Sequence, residues 1–254
     1  MNRPVESGRL ERPHDASLEP PLEAFGAAQR LFAEALGTAL LLAVVVGSGI
    51  MGQRLAAGND AVALLGNTLA TGAALVVLIT IFGPISGAHF NPVVTAMFAA
   101  KRELDWRLAV GYVAVQVLGA IAGVWAAHLM FAEPVLQISA KARDGFPQGF
   151  AEAVATFGLI GTILCSLRFK PDATPTLVGL YITAAYWFTA STSFANPAVT
   201  LARSLSNTFA GIAPASVPLF IAGQIVGGLV GVASFGWLLA RRPAPLPSTG
   251  RMSD

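Results

Sequence analysis

The tightest constraint on this chain is a pair of short apolar stretches, each opened by Asn-Pro. The first reads Ser-Gly-Ala-His-Phe-Asn91-Pro92-Val93-Val94-Thr95 and the second Thr-Ser-Phe-Ala-Asn196-Pro197-Ala198-Val199-Thr200. Each directly follows a longer apolar run, yet each is only about half the ~20 residues that a membrane crossing needs. A helix that starts at a Pro and stops half-way implies backbone that enters a bilayer and turns back. Such backbone is tolerated only where it lines a polar cavity. The pair therefore predicts a pore.

Composition agrees with a membrane setting. Of 254 residues 54% are apolar and 12% charged, with mean hydropathy +0.64, where a soluble domain carries about a quarter charged residues. A net charge of +2 without a basic run excludes nucleic acid as a partner. The single cysteine, Cys165, excludes an intrachain disulfide and a thiol metal cluster, and reads as a small core or lipid-facing residue. No His, Cys or carboxylate set has metal-site spacing, and no nucleophile–base pair supports an enzyme, so no metal or cofactor is expected.

Long apolar runs at about 31–52, 61–83, 108–131, 150–167, 175–191 and 215–240 give six crossings, with half-helices at about 91–100 and 196–205 as extras. The fifth run is short and rich in Thr, Tyr and Trp. The fold class is thus an all-α membrane protein occupying residues 30–240. Residues 1–29, mixed in charge and holding four prolines, read as a disordered tail; with no apolar stretch before the first span, they are not a signal peptide. Residues 241–254, Pro-rich from Pro243 to Pro247, read as a second tail.

Positive charge sets the orientation. Arg30, Lys101, Arg102, Arg107, Arg168, Lys170, Arg241 and Arg242 flank one set of helix ends, whereas the opposite connections hold nearly cancelling charge. By the positive-inside count both termini are cytoplasmic.

The two halves, about 30–131 and 149–240, repeat. Ala33-Glu34-Ala35-Leu36-Gly37-Thr38 answers Ala151-Glu152-Ala153-Val154-Ala155-Thr156, and Gln116-Val-Leu-Gly119 answers Gln224-Ile-Val-Gly227. Three crossings per half is an odd number, so the second copy inserts upside down and the N-termini of the half-helices meet near mid-bilayer. Gly119 with Gly123, and Gly223 with Gly227 and Gly231, are read as helix-packing glycines.

Asn is a good N-cap and Pro suits the next position, so each Asn-Pro starts a helix. Two helix N-termini facing one another place about half an elementary positive charge each at the pore centre, which repels cations. The side-chain amides of Asn91 and Asn196 would donate to a passing oxygen. Extended backbone at Gly87, Ala88 and His89, and at Thr192, Ser193 and Phe194, would offer carbonyl acceptors. A neutral hydroxylated molecule exchanges water for these groups at little cost, and an ion does not. A coupled secondary transporter, the alternative from another class, needs a titratable group near mid-membrane, and none stands out. His89 is read as a structural hydrogen-bonding residue and His128 as a helix-end residue.

Ser-Gly-Ala-His-Phe-Asn91-Pro92, Asn196-Pro197-Ala198 and the paired Ala-Glu-x-x-x-Thr helices resemble the aquaporin, or major intrinsic protein, family over residues 30–240. The resemblance implies one pore per subunit, a homotetramer in the cell membrane, and Glu34 and Glu152 holding the re-entrant loops. It also shows a departure: the Arg that usually follows the second Asn-Pro-Ala is Val199 here. Counted without gaps, the other filter places fall on Thr71, Ala184 and Ser193. Small side chains at all four predict a wide filter passing glycerol, water, urea or the undissociated hydroxides of arsenic and antimony. Bacterial members that lack the Arg are connected with arsenic resistance, which puts arsenite first; the alternative within the family is a water-selective pore. Arg203, four residues beyond Val199, is either an outer-mouth charge or a rim residue at the lipid headgroups.

Overall fold

The computed structural model describes residues 25–240, and among these every regular element is helical. Eight α-helices follow one another: α1 Ala27–Leu55, α2 Asp60–Ser86, α3 Pro92–Ala100, α4 Trp106–Met130, α5 Phe146–Phe169, α6 Thr174–Phe188, α7 Pro197–Arg203 and α8 Val217–Leu239. The first helix begins at Ala27, three residues before the expected boundary at 30. Of the tails read at 1–29 and 241–254, residues 1–24 and 241–254 lie outside the described residues.

Local chemistry sets the ends. Asn59 accepts from the N–H groups of Ala61 and Val62 to start α2, and Asp105 accepts from Arg107 and Leu108 to start α4. Helix α2 stops at Gly87, whose φ of +89° is the left-handed turn that closes many helices; its N–H donates to the Gly83 carbonyl at 2.9 Å.

Two parallel helix pairs carry the architecture. In the first, Arg30 near the start of α1 donates to the Tyr112 hydroxyl of α4 at 2.9 Å, and Arg54 at its far end donates to the Phe131 carbonyl at 2.8 Å. Between them Gly119 and Gly123 lie against the backbone of Ala35 and Ala39, where an added methyl would overlap the carbonyl oxygens. The second pair, α5 with α8, repeats this: Gly223 and Gly227 lie against the backbone of Gly149 and Ala153. Glycines four apart form one stripe on a helix, which lets two backbones approach closely where no hydrophobic effect drives helices together. The halves join where α2 crosses α6 at Gly72 and Gly179.

Among the described residues five helices, α1, α2, α4, α5 and α8, are long and apolar enough to cross a membrane. Their outward faces expose large apolar side chains such as Phe32, Leu69, Leu129, Leu229 and Trp237, as a lipid-facing surface requires. The sixth crossing, α6, has only 15 helical residues. It lies antiparallel to α5, and beyond its end the Ala190 carbonyl accepts from Gln148 near the start of α5 at 3.1 Å. Most polar residues of the fifth apolar run, among them Tyr181, Thr183, Tyr186 and Trp187, lie within this short helix. Helices α3 and α7, nine and seven residues long, are the half-helices. The second ends two residues earlier than its apolar stretch suggests.

Candidate functional site

The half-helices meet through a crossed pair of asparagine bonds. Asn91 and Asn196 are extended at the backbone, and each turns its side-chain oxygen onto its own helix start: Asn91 Oδ1 accepts from Val93 N–H at 3.0 Å, Asn196 Oδ1 from Ala198 at 3.0 Å and Val199 at 3.3 Å. Each amide then reaches across the pseudo-twofold. Asn91 Nδ2 donates to the Ala195 carbonyl and Asn196 Nδ2 to the Phe90 carbonyl, both at 2.7 Å. One of the two amide hydrogens is therefore spent on tying the loops together, and the second faces the cavity that both asparagines border. Pro92, Val93, Pro197 and Ala198 form the first turns behind them, with Val93 packed on Gly228 of α8.

Two wholly buried carboxylates hold the loops. Glu34 accepts from the N–H groups of His89 (2.9 Å) and Phe90 (2.7 Å), the Ser86 hydroxyl (2.7 Å) and Gln116 Nε2 (2.8 Å). Glu152 accepts from Phe194 N–H (2.9 Å), Ala195 N–H (2.8 Å) and Gln224 Nε2 (2.6 Å). Gln116 also donates to Thr95 Oγ1 at 2.9 Å and Gln224 to Thr200 Oγ1 at 2.8 Å, which fastens each clamp to its half-helix. The clamps oppose backbone strain: Ala88, Phe90, Thr192, Ser193 and Ala195 all have positive φ, each costing roughly 1–2 kcal/mol for a residue with a Cβ. Gln116 and Gln224 appeared in the sequence as repeat markers; a polar residue at matched places in two apolar helices was the signal that they hold something.

Beside this junction runs a cavity with two unlike walls. Leu41, Val45, Leu75, Leu159, Ile163 and Ile182 present methyl groups from α1, α2, α5 and α6; the loop residues Gly87–Asn91 and Ser193–Asn196 form the other side. The cavity has a volume of about 120 Å³, well above the roughly 10–15 Å³ that admits a single water.

Of the residues read as offering carbonyl acceptors to the pore, Gly87, Ala88, His89, Ser193 and Phe194 border this cavity. Thr192 does not: it is a turn residue whose N–H donates to the Thr189 carbonyl at 3.1 Å. Of the four filter places, Thr71, Ser193 and Val199 border it and Ala184 does not. Ala184 is exposed on α6. At 3.6 residues per turn Val178, Ile182 and Tyr186 share the cavity face, and a residue two places away points to the opposite side. Tyr186 stands there instead, its hydroxyl 3.4 Å from Thr71 Oγ1. The ungapped count overlooked the helical period, and the small-residue ring it predicted contains a phenol.

Arg203 also borders the cavity and is only 2% exposed, which removes it from the lipid rim. Its Nε donates to the Ala210 carbonyl and its guanidinium lies 3.4 Å from the centre of the Phe194 ring. Towards the same ring comes Arg143 from the segment between α4 and α5, at 5.1 Å, with its own donors on the carbonyls of Gly211 (3.0 Å) and Ser191 (3.2 Å). Neighbouring Lys141 donates to the Phe209 carbonyl at 2.9 Å. Partial desolvation, then the charges of Arg143 and Arg203, pull its ammonium down to about 8. The sequence reading had treated this connection as electrically balanced. His89 Nδ1 lies 3.1 Å from Thr95 Oγ1 and the ring stacks on Phe98 at 4.5 Å, a structural arrangement. His128, fully buried at the end of α4, bridges the Val135 carbonyl (3.0 Å) and the Ser206 hydroxyl (2.9 Å).

Comparison with known proteins names this architecture. The family model "Major intrinsic protein" matches residues 22–187. The chain belongs to the major intrinsic protein family. It is 57% identical over 218 residues to the aquaglyceroporin AqpS of Rhizobium meliloti (strain 1021), covering 86% of this chain and 93% of the relative. It is 28% identical over 240 residues to the aquaporin NIP6-1 of Arabidopsis thaliana, covering 91% of this chain and 74% of that one. Among solved structures, the aquaglyceroporin from Plasmodium falciparum superposes with a TM-score of 0.67 at 18% identity, covering 83% of this chain and 96% of the other; that likeness is one of fold. The protein is an integral multi-pass membrane protein and a passive channel, not an enzyme.

Proposed function

We propose that this channel conducts glycerol as well as water, and that its solutes extend to urea and to undissociated arsenite and antimonite. The observation that carries the reading is the cavity with one methyl-lined wall and one wall of loop backbone and asparagine amides. A polyol turns its carbons to the first and its hydroxyls to the second; water alone needs no apolar wall. The paired helix N-termini oppose cations at the centre. Thr71, Ser193 and Val199, with Tyr186 in place of Ala184, form the outer constriction. Val199 leaves open the space that an Arg side chain would fill at that turn. The name of the Rhizobium relative, aquaglyceroporin, supports the same choice.

The helix ends flanked by Arg30, Lys101, Arg107 and Arg168 face the cytoplasm, so both termini are cytoplasmic and the channel sits in the cell membrane. The exposed apolar faces serve both lipid and neighbouring copies in a homotetramer, each subunit with its own pore. Stopped-flow light scattering on proteoliposomes tests the solute reading. Glycerol and arsenite gradients are expected to relax much faster than in protein-free vesicles; fast water movement without glycerol movement would contradict it.

A further inference from the structure

We infer that Arg203 supplies, from one turn further along α7, the fixed positive charge that Val199 lacks, so the channel keeps cation and proton exclusion while its filter is open at Val199. The inference rests on the conduit proposed above.

Four residues along an α-helix return to the same face with a rise of about 6 Å. Arg203 thus stands in line with Val199 along the cavity wall, displaced from the asparagine junction towards the mouth, and both residues border the same cavity. Among the described residues no carboxylate lies within ion-pair distance of Arg203, although Glu152 acts on it from further off. The ion pairs among the described residues are Arg54–Glu133 and Lys101–Glu103, neither of which involves it. What holds it is an uncharged set: the Ala210 carbonyl, the Phe194 ring face and the neighbouring Tyr186 hydroxyl. Such contacts fix a guanidinium in place at the cavity wall without an exchange of charge. A buried cation without a direct ion pair is expensive inside a membrane protein, and its presence at a pore wall marks a functional position. The same Phe194 ring also meets Arg143, so the loop residue that borders the cavity is gripped by two cations. Separation of the charge from Val199 divides two tasks that one Arg would combine. The constriction near the junction is left to size, and the charge barrier is moved outward.

The test is proton and potassium flux, measured with a pH-sensitive dye and by vesicle conductance, alongside glycerol flux on the same proteoliposomes. Arg203→Met is expected to raise ion leak on the order of tenfold, the Boltzmann weight of one nearby charge at protein-like dielectric, with glycerol flux unchanged or higher. Arg203→Lys should stay near the wild-type leak. The double variant V199R/R203M should recover low leak and lose glycerol flux, because the charge is returned one turn inward. If Arg203→Met assembles poorly, Arg203→Gln, which keeps a donor for Ala210, provides the same contrast. An unchanged leak in a neutral variant with normal glycerol flux overturns the inference. So does a raised leak that V199R fails to reverse, since that marks a structural role. A wild type without glycerol flux would sink the proposed conduit instead.

Discussion

The two re-entrant loops are alike at the centre of the protein and unlike at its mouths. At the centre the correspondence is residue by residue: Glu34 with Glu152, Gln116 with Gln224, Thr95 with Thr200, and each asparagine amide on the other loop's carbonyl. One step before the junction it ends. His89 in the first loop hydrogen-bonds to Thr95 and stacks on Phe98. Its counterpart Phe194 packs on Phe220 and carries Arg143 and Arg203 on its ring. Symmetric polar clamps thus hold the centre, where both half-helix N-termini converge, and asymmetric side chains distinguish the two entrances.

The largest effect should come from the clamps, and it should be equal in both halves. Glu34→Ala strands the N–H groups of His89 and Phe90, and Glu152→Ala those of Phe194 and Ala195. With two buried donors left unmet, each variant should lose about 3 kcal/mol or more of stability. Thermal unfolding in detergent measures this. A wild-type midpoint for either variant would break the claim that the loops are held alike.

Next come the asparagines. Asn91→Asp and Asn196→Asp each remove the donor to the opposite loop and introduce a carboxylate beside the converging dipoles. Both should raise cation conductance above background in planar bilayers, and by similar amounts if the centre is symmetric. A change confined to Asn196→Asp would shift the barrier into the second half.

The mouths differ more gently. Val199→Arg should cut glycerol flux about tenfold, a barrier of some 1.4 kcal/mol, and spare most water flow; unchanged glycerol flux would place the constriction elsewhere. The smallest effect concerns Lys141. Its ammonium is charged below and neutral above about 8, so raising the pH from 7 to 9 removes one positive charge from a mouth that retains Arg143 and Arg203. Cation exclusion should weaken slightly over that interval, and a Lys141→Met channel should lack this component.

The contrast between centre and mouth also explains what could be read from the residues. The half-helices, the caps at Asn91 and Asn196, the acids Glu34 and Glu152 and the packing glycines follow from short-range rules: a Pro at the first helical position, an acid in an apolar helix, small residues four apart. Each rule needs only the residue's neighbours along the chain. Ala184 lies off the cavity and Tyr186 borders it because the facing of a position depends on helix rotation, which an ungapped count ignores. Thr192 falls outside the cavity because its N–H closes a turn on the Thr189 carbonyl at the end of α6, before the loop reaches the pore at Ser193. Arg143 was passed over because its partners, Ser191 and Gly211, lie 48 and 68 residues away in the chain. Only the fold brings that loop to the mouth.

The central claim is that two oppositely inserted half-helices abut beside one continuous conduit that carries neutral molecules and stops ions. Glycerol swelling and ionic conductance recorded on the same wild-type proteoliposomes test it most directly. The account predicts rapid glycerol relaxation with conductance at the level of protein-free vesicles. Ion current that scales with channel density, or glycerol flux no faster than through bare lipid, would contradict it.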